Sequence, residues 1–246
     1  MVLAVKWMGI DFGQTLLDVK RMRTYLMIGD TSKELGEPEL VEERCHKWRL
    51  MREKYGSWPI FKESHVPEAL SFTFDNQPEA NTVYPAVEQK YMTLGDGAID
   101  TISYLRDQGI HISVVSELKR TLGPVGANIA MTFLRREDAL KYFEEFISPQ
   151  GKVNLRDGSI DLKYKGTSKE TGTLYDVLIK DLASRGIEPS DAVVVGDKEW
   201  SDITPAKKRG FKTILYTGCV CRGPTEADIV IRRFSELKEI LRFKNE

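Results

Sequence analysis

The sequence predicts an α/β fold in which a parallel β-sheet is flanked by helices, with a mainly helical subdomain inserted near the N-terminus. Short apolar runs that lack polar alternation, such as residues 192–195, are typical of strands buried on both faces. Helical patterns separate these runs along most of the chain, as the crossovers between parallel strands require. Residues 17–94 break this alternation, because β-branched runs are rare there and charged and aromatic residues dominate.

The inserted segment is predicted to be helical because its apolar residues recur at intervals of three and four. One such stripe comprises Val41, Cys45, Trp48, Met51 and Tyr55. The segment follows directly after the acidic end of the first apolar run, so we expect it to cover the edge of the sheet. The predicted division is therefore a core of residues 1–16 and 95–246 and a helical cap of residues 17–94.

Beyond residue 95 the predicted elements alternate. They are a helix over 98–107, a strand over 110–115, a helical stretch to about residue 146, a helix around 174–182, and strands over 192–195, 213–216 and 229–231. Thr204 is predicted to cap a helix that has Pro205 at its first position. Ser235 is predicted to cap a final amphipathic helix. Asp157-Gly158 is predicted to form a tight hairpin turn.

The amino-acid composition argues against several classes of function. Lys and Arg total 36 against 37 for Asp and Glu, so no polycationic character favours nucleic acid or an acidic membrane surface. No apolar stretch reaches the roughly 20 residues of a membrane helix, and the N-terminal run lacks the basic leader of a secretory signal. Three cysteines do not suggest a disulfide framework. We therefore expect a cytoplasmic protein, and a homodimer stays open.

Carboxylates stand at the ends of two predicted strands. Asp11 follows the first apolar run, and Asp197 and Asp202 follow the run over 192–195. In an open α/β sheet, ligands bind at the carboxyl ends of the strands. An aspartate at a strand end is by itself often only a turn former or a helix cap. Two distant segments that place acids on the same edge are a stronger indication, and they predict a functional site there.

An ordered set of residues at these strand ends resembles the haloacid dehalogenase superfamily of aspartate-nucleophile hydrolases and phosphatases. The set comprises Asp11, Thr15, Ser116, a lysine, Asp197 and Asp202. The resemblance covers the whole chain and implies a Rossmann-like core, with residues 17–94 in the place of that superfamily's helical cap. It also implies a Mg²⁺-dependent hydrolase that acts on a phosphorylated small molecule through an aspartyl intermediate.

The resemblance implies how the substrate would be held. Asp11 would be the nucleophile, and Thr15 would hold it in place. Ser116, with Glu117 after it, would bind phosphoryl oxygens at a strand-to-helix turn. Lys169 would neutralise the remaining phosphate charge. Lys165 and Lys163 are close rivals on the same polar loop, and Lys169 is favoured over Lys165.

Magnesium ligands follow from the same resemblance: Asp11, the Gly13 carbonyl and Asp197, with Asp202 orienting the metal's waters or the lysine. The physical need for the ion is independent of the family. A carboxylate that attacks a phosphate ester meets repulsion of about 4 kcal/mol per pair of unit charges at ~4 Å and an effective dielectric near ~20. A divalent cation on oxygen ligands offsets that repulsion.

Gly13 departs from the phosphatase pattern, which carries a second aspartate there as general acid and base. The residue that follows is Gln14, where glycine is usual. Loss of a positioned proton donor typically removes about 10²–10⁴-fold in rate. We therefore expect substrates whose leaving group needs little protonation, such as acyl phosphates, activated aryl phosphates or phosphonates.

Several alternatives stay open. The dehalogenase and phosphonatase branches also lack the second aspartate, although the pairing of Asp197 with Asp202 favours a cation that halide displacement does not need. A phosphonatase would require a Schiff-base lysine in the cap, where Lys47, Lys54 and Lys62 occur. A catalytically weak protein that binds a phosphorylated ligand is a further alternative. Residues 10–15 also resemble the first phosphate loop of actin-like ATPases and sugar kinases, but no hairpin pattern follows them.

Overall fold

The computed structural model describes residues 1–20, 22–56, 65–118, 129–219 and 223–244. The chain divides into two compact units, which we call the core unit (Met1–Asp18 and Leu94–Glu246) and the helical unit (Val19–Thr93). The structure thus places the two breaks after Asp18 and after Thr93, where the sequence analysis places them after residues 16 and 94. None of the described helices has the length and apolar character needed to cross a bilayer.

The strands are short, and most belong to the core unit. In chain order they are β1 Leu3–Val5, β2 Trp7–Ile10, β3 Leu17–Asp18, β4 Thr93–Leu94, β5 His111–Val115, β6 Glu145–Ser148, β7 Gly151–Asn154, β8 Ile160–Asp161, β9 Ala192–Gly196, β10 Lys212–Tyr216, β11 Ile229–Ile231 and β12 Leu241–Phe243. Eight of them form one sheet in the order β11-β10-β9-β2-β5-β6-β7-β8. Pairing is parallel from β11 to β6 and antiparallel from β6 to β8. The predicted α/β fold with a parallel-dominated sheet is confirmed.

The helices fall into two groups. Those of the helical unit are α1 Thr24–Glu34, α2 Val41–Tyr55, α3 Val66–Thr73 and α4 Ala80–Tyr91, and those of the core unit are α5 Ala98–Asp107, α6 Ile129–Arg136, α7 Thr173–Ala183, α8 Thr204–Lys207 and α9 Leu237–Ile240. The stripe predicted on α2 faces the apolar interior of the helical unit, where Trp48 and Met51 are buried among Met27 and Leu70. Burial of this stripe, rather than helix propensity, supplies most of the stability of such helices.

Sheet register brings three strand ends together. Ile10, the last residue of β2, lies beside Val114 of β5 and Val195 of β9. These central strands are buried along their whole length, except at His111. The residues that follow β2, β5 and β9 therefore meet at one edge of the sheet, which is the edge where the sequence places the candidate site.

Two predicted elements differ from the structure. The helical stretch expected to reach residue 146 ends earlier, because β6 begins at Glu145 and Phe146 pairs beside Val114; residues 119–128 of that stretch lie outside the described residues. The predicted final helix is only the four-residue α9, preceded by a 3₁₀ turn over Phe234–Glu236 and followed by β12, which pairs with β1. Both differences arise from strand pairing between distant segments, which local periodicity does not report.

The two helix caps predicted from the sequence, Thr204 and Ser235, also differ from the structure. Ser235 lies inside the 3₁₀ turn, where the Glu236 carboxylate accepts the backbone N–H of Arg233 at 2.7 Å. Thr204 is the first residue of α8 rather than its cap, and its hydroxyl donates to Glu199. A π-helical turn over Glu199–Ile203 precedes α8 and occupies the position where a conventional cap would lie. The predicted hairpin turn, by contrast, is present between β7 and β8.

Candidate active site

Asp11 begins the loop that follows β2. Its backbone N–H donates to the carbonyl of Val195 at 2.8 Å, and its own carbonyl accepts the N–H of Leu16 at 3.2 Å. The loop therefore folds back on itself and leaves Asp11 only 5% exposed. Thr15, four residues on, is fully buried in the same loop.

Lys169 reaches Asp11 from the loop that precedes α7. Its Nζ donates to Asp11 Oδ1 at 2.7 Å and to the carbonyl of Val115 at 3.1 Å, and it forms an ion pair with Asp202. The side chain is buried, whereas the rival Lys165 is exposed to solvent. Burial alone lowers the pKa of Lys169, but the carboxylates of Asp11 and Asp202 raise it by more, so the ammonium stays charged.

Asp197 and Asp202 enter the site from the segment after β9. Gly196 makes room for Asp202, since a Cβ at position 196 would overlap the Asp202 carboxyl carbon. Asp202 Oδ2 accepts the backbone N–H of Lys198 at 2.9 Å, which fixes the carboxylate. Carboxylate oxygens of Asp11, Asp197 and Asp202 lie within 4.8 Å of one another, and all three side chains are buried.

The donor set of these three residues fits a divalent cation. Three buried carboxylates face the buried ammonium of Lys169 and the partly exposed ammonium of Lys198, which lies 3.9 Å from Asp197 Oδ1, so negative charge is in excess. Asp11 Oδ2 is buried and accepts no hydrogen bond from the described residues. Burial raises the pKa of Asp11 to about 7, with Asp202 and Asp197 acting in the same direction and Lys169 and Lys198 against it. Hard oxygen donors that carry excess charge are the ligands Mg²⁺ prefers, and the ion would keep Asp11 ionised.

Ser116 and Glu117 follow β5 and lie at the same edge of the sheet. The backbone N–H of Ser116 donates to Ile147, and its hydroxyl accepts the N–H of Leu118 at 3.2 Å. The Glu117 carboxylate accepts the backbone N–H of Lys169 at 2.6 Å. Burial raises the pKa of Glu117 although this hydrogen bond acts against it. Glu117, expected to contact substrate, is therefore engaged by the loop that carries the lysine.

Gly13 lies where phosphatases of the resembled family carry a second aspartate. A Cβ built on Gly13 has no heavy atom within 4 Å, so the structure leaves room for a side chain at this position. The next residue, Gln14, has φ 63°, a left-handed conformation that glycine adopts more readily. The departure from the phosphatase pattern is thus a change of side chain within a loop that can accept the aspartate.

A family model and several solved structures resemble this chain. The family model of HAD-hydrolase-like proteins matches residues 167–236, the segment that carries Lys169, Asp197 and Asp202. In this segment the chain is similar to HAD-hydrolase-like proteins, and in fold it is similar to solved structures of HAD hydrolases. A comparison with curated protein sequences finds no significant match.

Solved structures of the superfamily share the fold over nearly the whole chain. A HAD-hydrolase named YfnB from Bacillus subtilis, bound to magnesium, has TM-score 0.65 and 16% identity over 96% of this chain and 98% of its own. A HAD phosphatase from Thermococcus onnurineus has TM-score 0.58 and 24% identity over 96% and 97%. A dehalogenase with an intermediate complex has TM-score 0.60 and 18% identity over 100% of both chains. At these identities the likeness concerns the fold.

Tyr175 lies beside the candidate site and was missed by the sequence analysis. Its hydroxyl donates to the carbonyl of Ser201 at 2.9 Å, and its ring packs on Phe211 in the core. It therefore ties α7, which follows the Lys169 loop, to the residue before Asp202. In the sequence Tyr175 is one apolar position of an amphipathic helix, so its pattern indicates packing and gives no sign of this hydrogen bond.

Proposed function

We propose that the protein is a Mg²⁺-dependent hydrolase of phosphorylated small molecules in which Asp11 is the nucleophile. The observation that carries the proposal is the convergence of Asp11, Asp197 and Asp202 within 4.8 Å, with the Lys169 ammonium on Asp11. This arrangement gathers a nucleophile, a cation site and a fixed positive charge at one sheet edge. These are the groups that a phosphoryl transfer to a carboxylate needs.

In the first step a carboxylate oxygen of Asp11 would attack phosphorus. The bond from phosphorus to the leaving oxygen breaks, and that oxygen departs with the electron pair. Lys169 remains on Oδ1 and reduces the repulsion between the carboxylate and the phosphoryl group. A Mg²⁺ held by Asp11, the Gly13 carbonyl and Asp197 would supply further neutralisation of phosphoryl charge.

In the second step a water molecule would attack phosphorus and give up its proton to the solvent, and the Asp11 carboxylate would leave. The net reaction consumes one water and releases the free leaving group and inorganic phosphate. Ser116 and the amide that follows it would bind the phosphoryl oxygens during both steps. Asp202 would keep Lys169 in place through their ion pair.

The substrate class follows from Gly13. No side chain stands at this position to give a proton to the departing oxygen, and no heavy atom approaches within 4 Å of where its Cβ would be. A leaving group of low basicity departs without that proton, whereas an alkoxide does not. We therefore favour aryl or acyl phosphates over alkyl phosphates.

The alternatives receive less support. Halide displacement needs no cation, yet the three buried carboxylates outnumber the two described ammonium groups that pair with them, Lys169 and the partly exposed Lys198. A Schiff base needs a neutral lysine, but Lys47 pairs with Glu43 and Asp75, and its hydrogen bonds to Asp75 and Glu43 raise its pKa. Hydrogen bonds with Tyr55 and Glu68 likewise raise the pKa of Lys54 to about 12. Lys62, the last of the three lysines named for this role, lies outside the described residues.

The test is hydrolysis of p-nitrophenyl phosphate by the purified protein with Mg²⁺ and with EDTA. We expect turnover that requires Mg²⁺ and that falls below detection in Asp11→Asn. The matched control is Asp157→Asn, the same change at an exposed turn, which should hydrolyse the substrate at the wild-type rate. Turnover that persists in EDTA or in Asp11→Asn would contradict the proposal, as would halide release from a 2-haloacid without hydrolysis of any phosphate.

A further inference from the structure

Arg209 lies outside the proposed set of site residues, two residues beyond the end of α8. Its guanidinium makes a bidentate pair with Asp176 in the first turn of α7, with N···O distances of 2.7 and 2.9 Å. It also donates to the carbonyl of Pro205 at 3.1 Å and to that of Thr171 at 3.5 Å. One side chain thus joins the loop after Lys169, the start of α7 and the start of α8.

The absence of a side chain at Gly172 leaves the space that the Arg209 guanidinium occupies. A Cβ at Gly172 would overlap Arg209 Nη1 and Cζ, and the residue has φ +80°, which disfavours other side chains. Gly172 also precedes α7 as its cap residue. The arginine therefore packs against the backbone of the lysine loop itself, and the pairing with Asp176 holds the plane of the guanidinium there.

The loop that carries Lys169 is otherwise fixed by its own hydrogen bonds and by Glu117. Lys169 donates its backbone N–H to Glu117 at 2.6 Å, and its carbonyl accepts the N–H of Gly172 at 3.0 Å. Leu174 donates to the carbonyl of Ser168 at 3.1 Å. Glu117 thus holds the start of the loop, and Arg209 holds its end.

The two segments that Arg209 joins are those whose side chains meet at the candidate site. Lys169 comes from the loop before α7, and Asp202 comes from the turn directly before α8; their ion pair lies at the centre of the site. A displacement of about 1 Å at a reacting group can cost about a hundredfold in rate. We infer that Arg209 is a positioning residue, which sets the place of the Lys169 ammonium by clamping its loop to the segment that carries Asp202.

The inference rests on the proposed function for its effect on rate, but its structural effect is measured without substrate. Hydrogen–deuterium exchange of the peptide that spans residues 167–174 reports the loop hydrogen bonds directly. In Arg209→Ala we expect this peptide to exchange at least about tenfold faster than in the wild type, while the β9 peptide is unchanged. The kinetic arm uses p-nitrophenyl phosphate with Mg²⁺, where we expect kcat to fall about ten- to a hundredfold and KM to stay within about twofold.

Two further variants make the test specific to the Arg209 guanidinium. Arg185→Ala is the matched control, because Arg185 stands two residues beyond the other end of α7, pairs with Glu144 at 2.9 Å, and is similarly exposed. It should alter neither loop exchange nor kcat. Arg209→Lys keeps the positive charge but lacks the planar guanidinium that donates to several acceptors at once. We therefore expect this variant to behave as Arg209→Ala does.

The outcomes separate the two proposals. Faster loop exchange in Arg209→Ala, with no Mg²⁺-dependent turnover in the wild type, would keep the clamp and reject the proposed function. An active wild type with unchanged exchange or unchanged kcat in Arg209→Ala would overturn the positioning role. Full activity in Arg209→Lys would also overturn it, because charge alone would then suffice.

Discussion

The ammonium of Lys169 lies 2.7 Å from Asp11 Oδ1, although the two residues are 158 positions apart in the chain. The same ammonium pairs with Asp202, so one buried cation serves two buried carboxylates. Breaking a buried ion pair from one side leaves uncompensated charge and is far more costly than losing a surface pair. Lys169 is therefore expected to matter for both folding and catalysis.

Replacing Lys169 by Met should lower the free energy of unfolding, measured by urea in EDTA, by about 3–5 kcal/mol, because Asp11 and Asp202 lose their cation. It should also reduce kcat for an aryl phosphate by about 10²–10³-fold, the usual cost of a lost charge-stabilising group. Lys165→Met, at the exposed rival position, is the control and should change neither quantity. Equal losses in the two variants would show that the assignment of the lysine is wrong.

The choice between these lysines shows where sequence analysis stops. Apolar runs and their acidic ends are local features, and they predicted the strands that carry Asp11 and Asp197, which the structure confirms. The path of the loop over 165–172 depends on hydrogen bonds to distant residues such as Glu117 and Arg209. Spacing could favour Lys169 over Lys165 only weakly, whereas burial separates them clearly.

Dependence on distant partners also explains why the sequence analysis missed the strands β6 and β12. β6 is held by its pairing with β5, and β12 by its pairing with β1, which lies at the opposite end of the chain. Strands of three or four residues carry too little periodicity to be distinguished from helical turns. The polar roles of Tyr175 and Glu117 also depend on partners that only the folded chain brings near.

Magnesium should stabilise the folded protein. A ligand that binds only the native state raises its stability by RT ln(1 + [L]/Kd), so the thermal midpoint should rise with Mg²⁺ concentration. Asp197→Asn should abolish this rise, because a carboxylate of the triad is lost. In EDTA the variant should be at least as stable as the wild type, since repulsion among the three acids is relieved. Thermal unfolding followed by circular dichroism measures both effects, and an undiminished Mg²⁺ shift in the variant would contradict the proposed ligand set.

Gly13→Asp should extend the substrate range. The space around Gly13 accepts a side chain, and an aspartate there could protonate a basic leaving group. We expect hydrolysis of an alkyl phosphate to rise by about tenfold or more, while the rate on an aryl phosphate changes little. Gly13→Asn is the control of equal size without a transferable proton. An equal gain in both variants, or none in either, would count against the missing acid as the reason for the expected selectivity.

Low pH should weaken the ion pairs that Asp181 forms with Lys152 and Lys163 in the core unit. Burial alone raises the pKa of Asp181, but hydrogen bonds from Lys152, Lys163 and Tyr164 lower it by more. Because the folded pKa lies below the unfolded one, ionised Asp181 stabilises the fold above pH ~4, and this contribution is lost as the pH falls through the folded pKa. Asp181→Asn should therefore be less stable than the wild type at pH 7, and the difference should shrink below about pH 4.

Urea unfolding across this pH range measures the difference. Asp107→Asn, the same substitution at an exposed residue near the end of α5, is the control and should track the wild type at each pH. A difference between Asp181→Asn and the wild type that stays constant from neutral to acidic pH would show that ionisation of Asp181 is not the source of its effect.

The most direct measurement is a crystal structure of the protein with Mg²⁺ and beryllium fluoride, a mimic of a phosphoryl group bound to a carboxylate. We predict beryllium fluoride on an oxygen of Asp11 and a cation held by Asp11 and Asp197, with Lys169 still in contact. A cation bound away from these carboxylates, or an Asp11 side chain that carries no adduct when both ions are present in excess, would contradict the account.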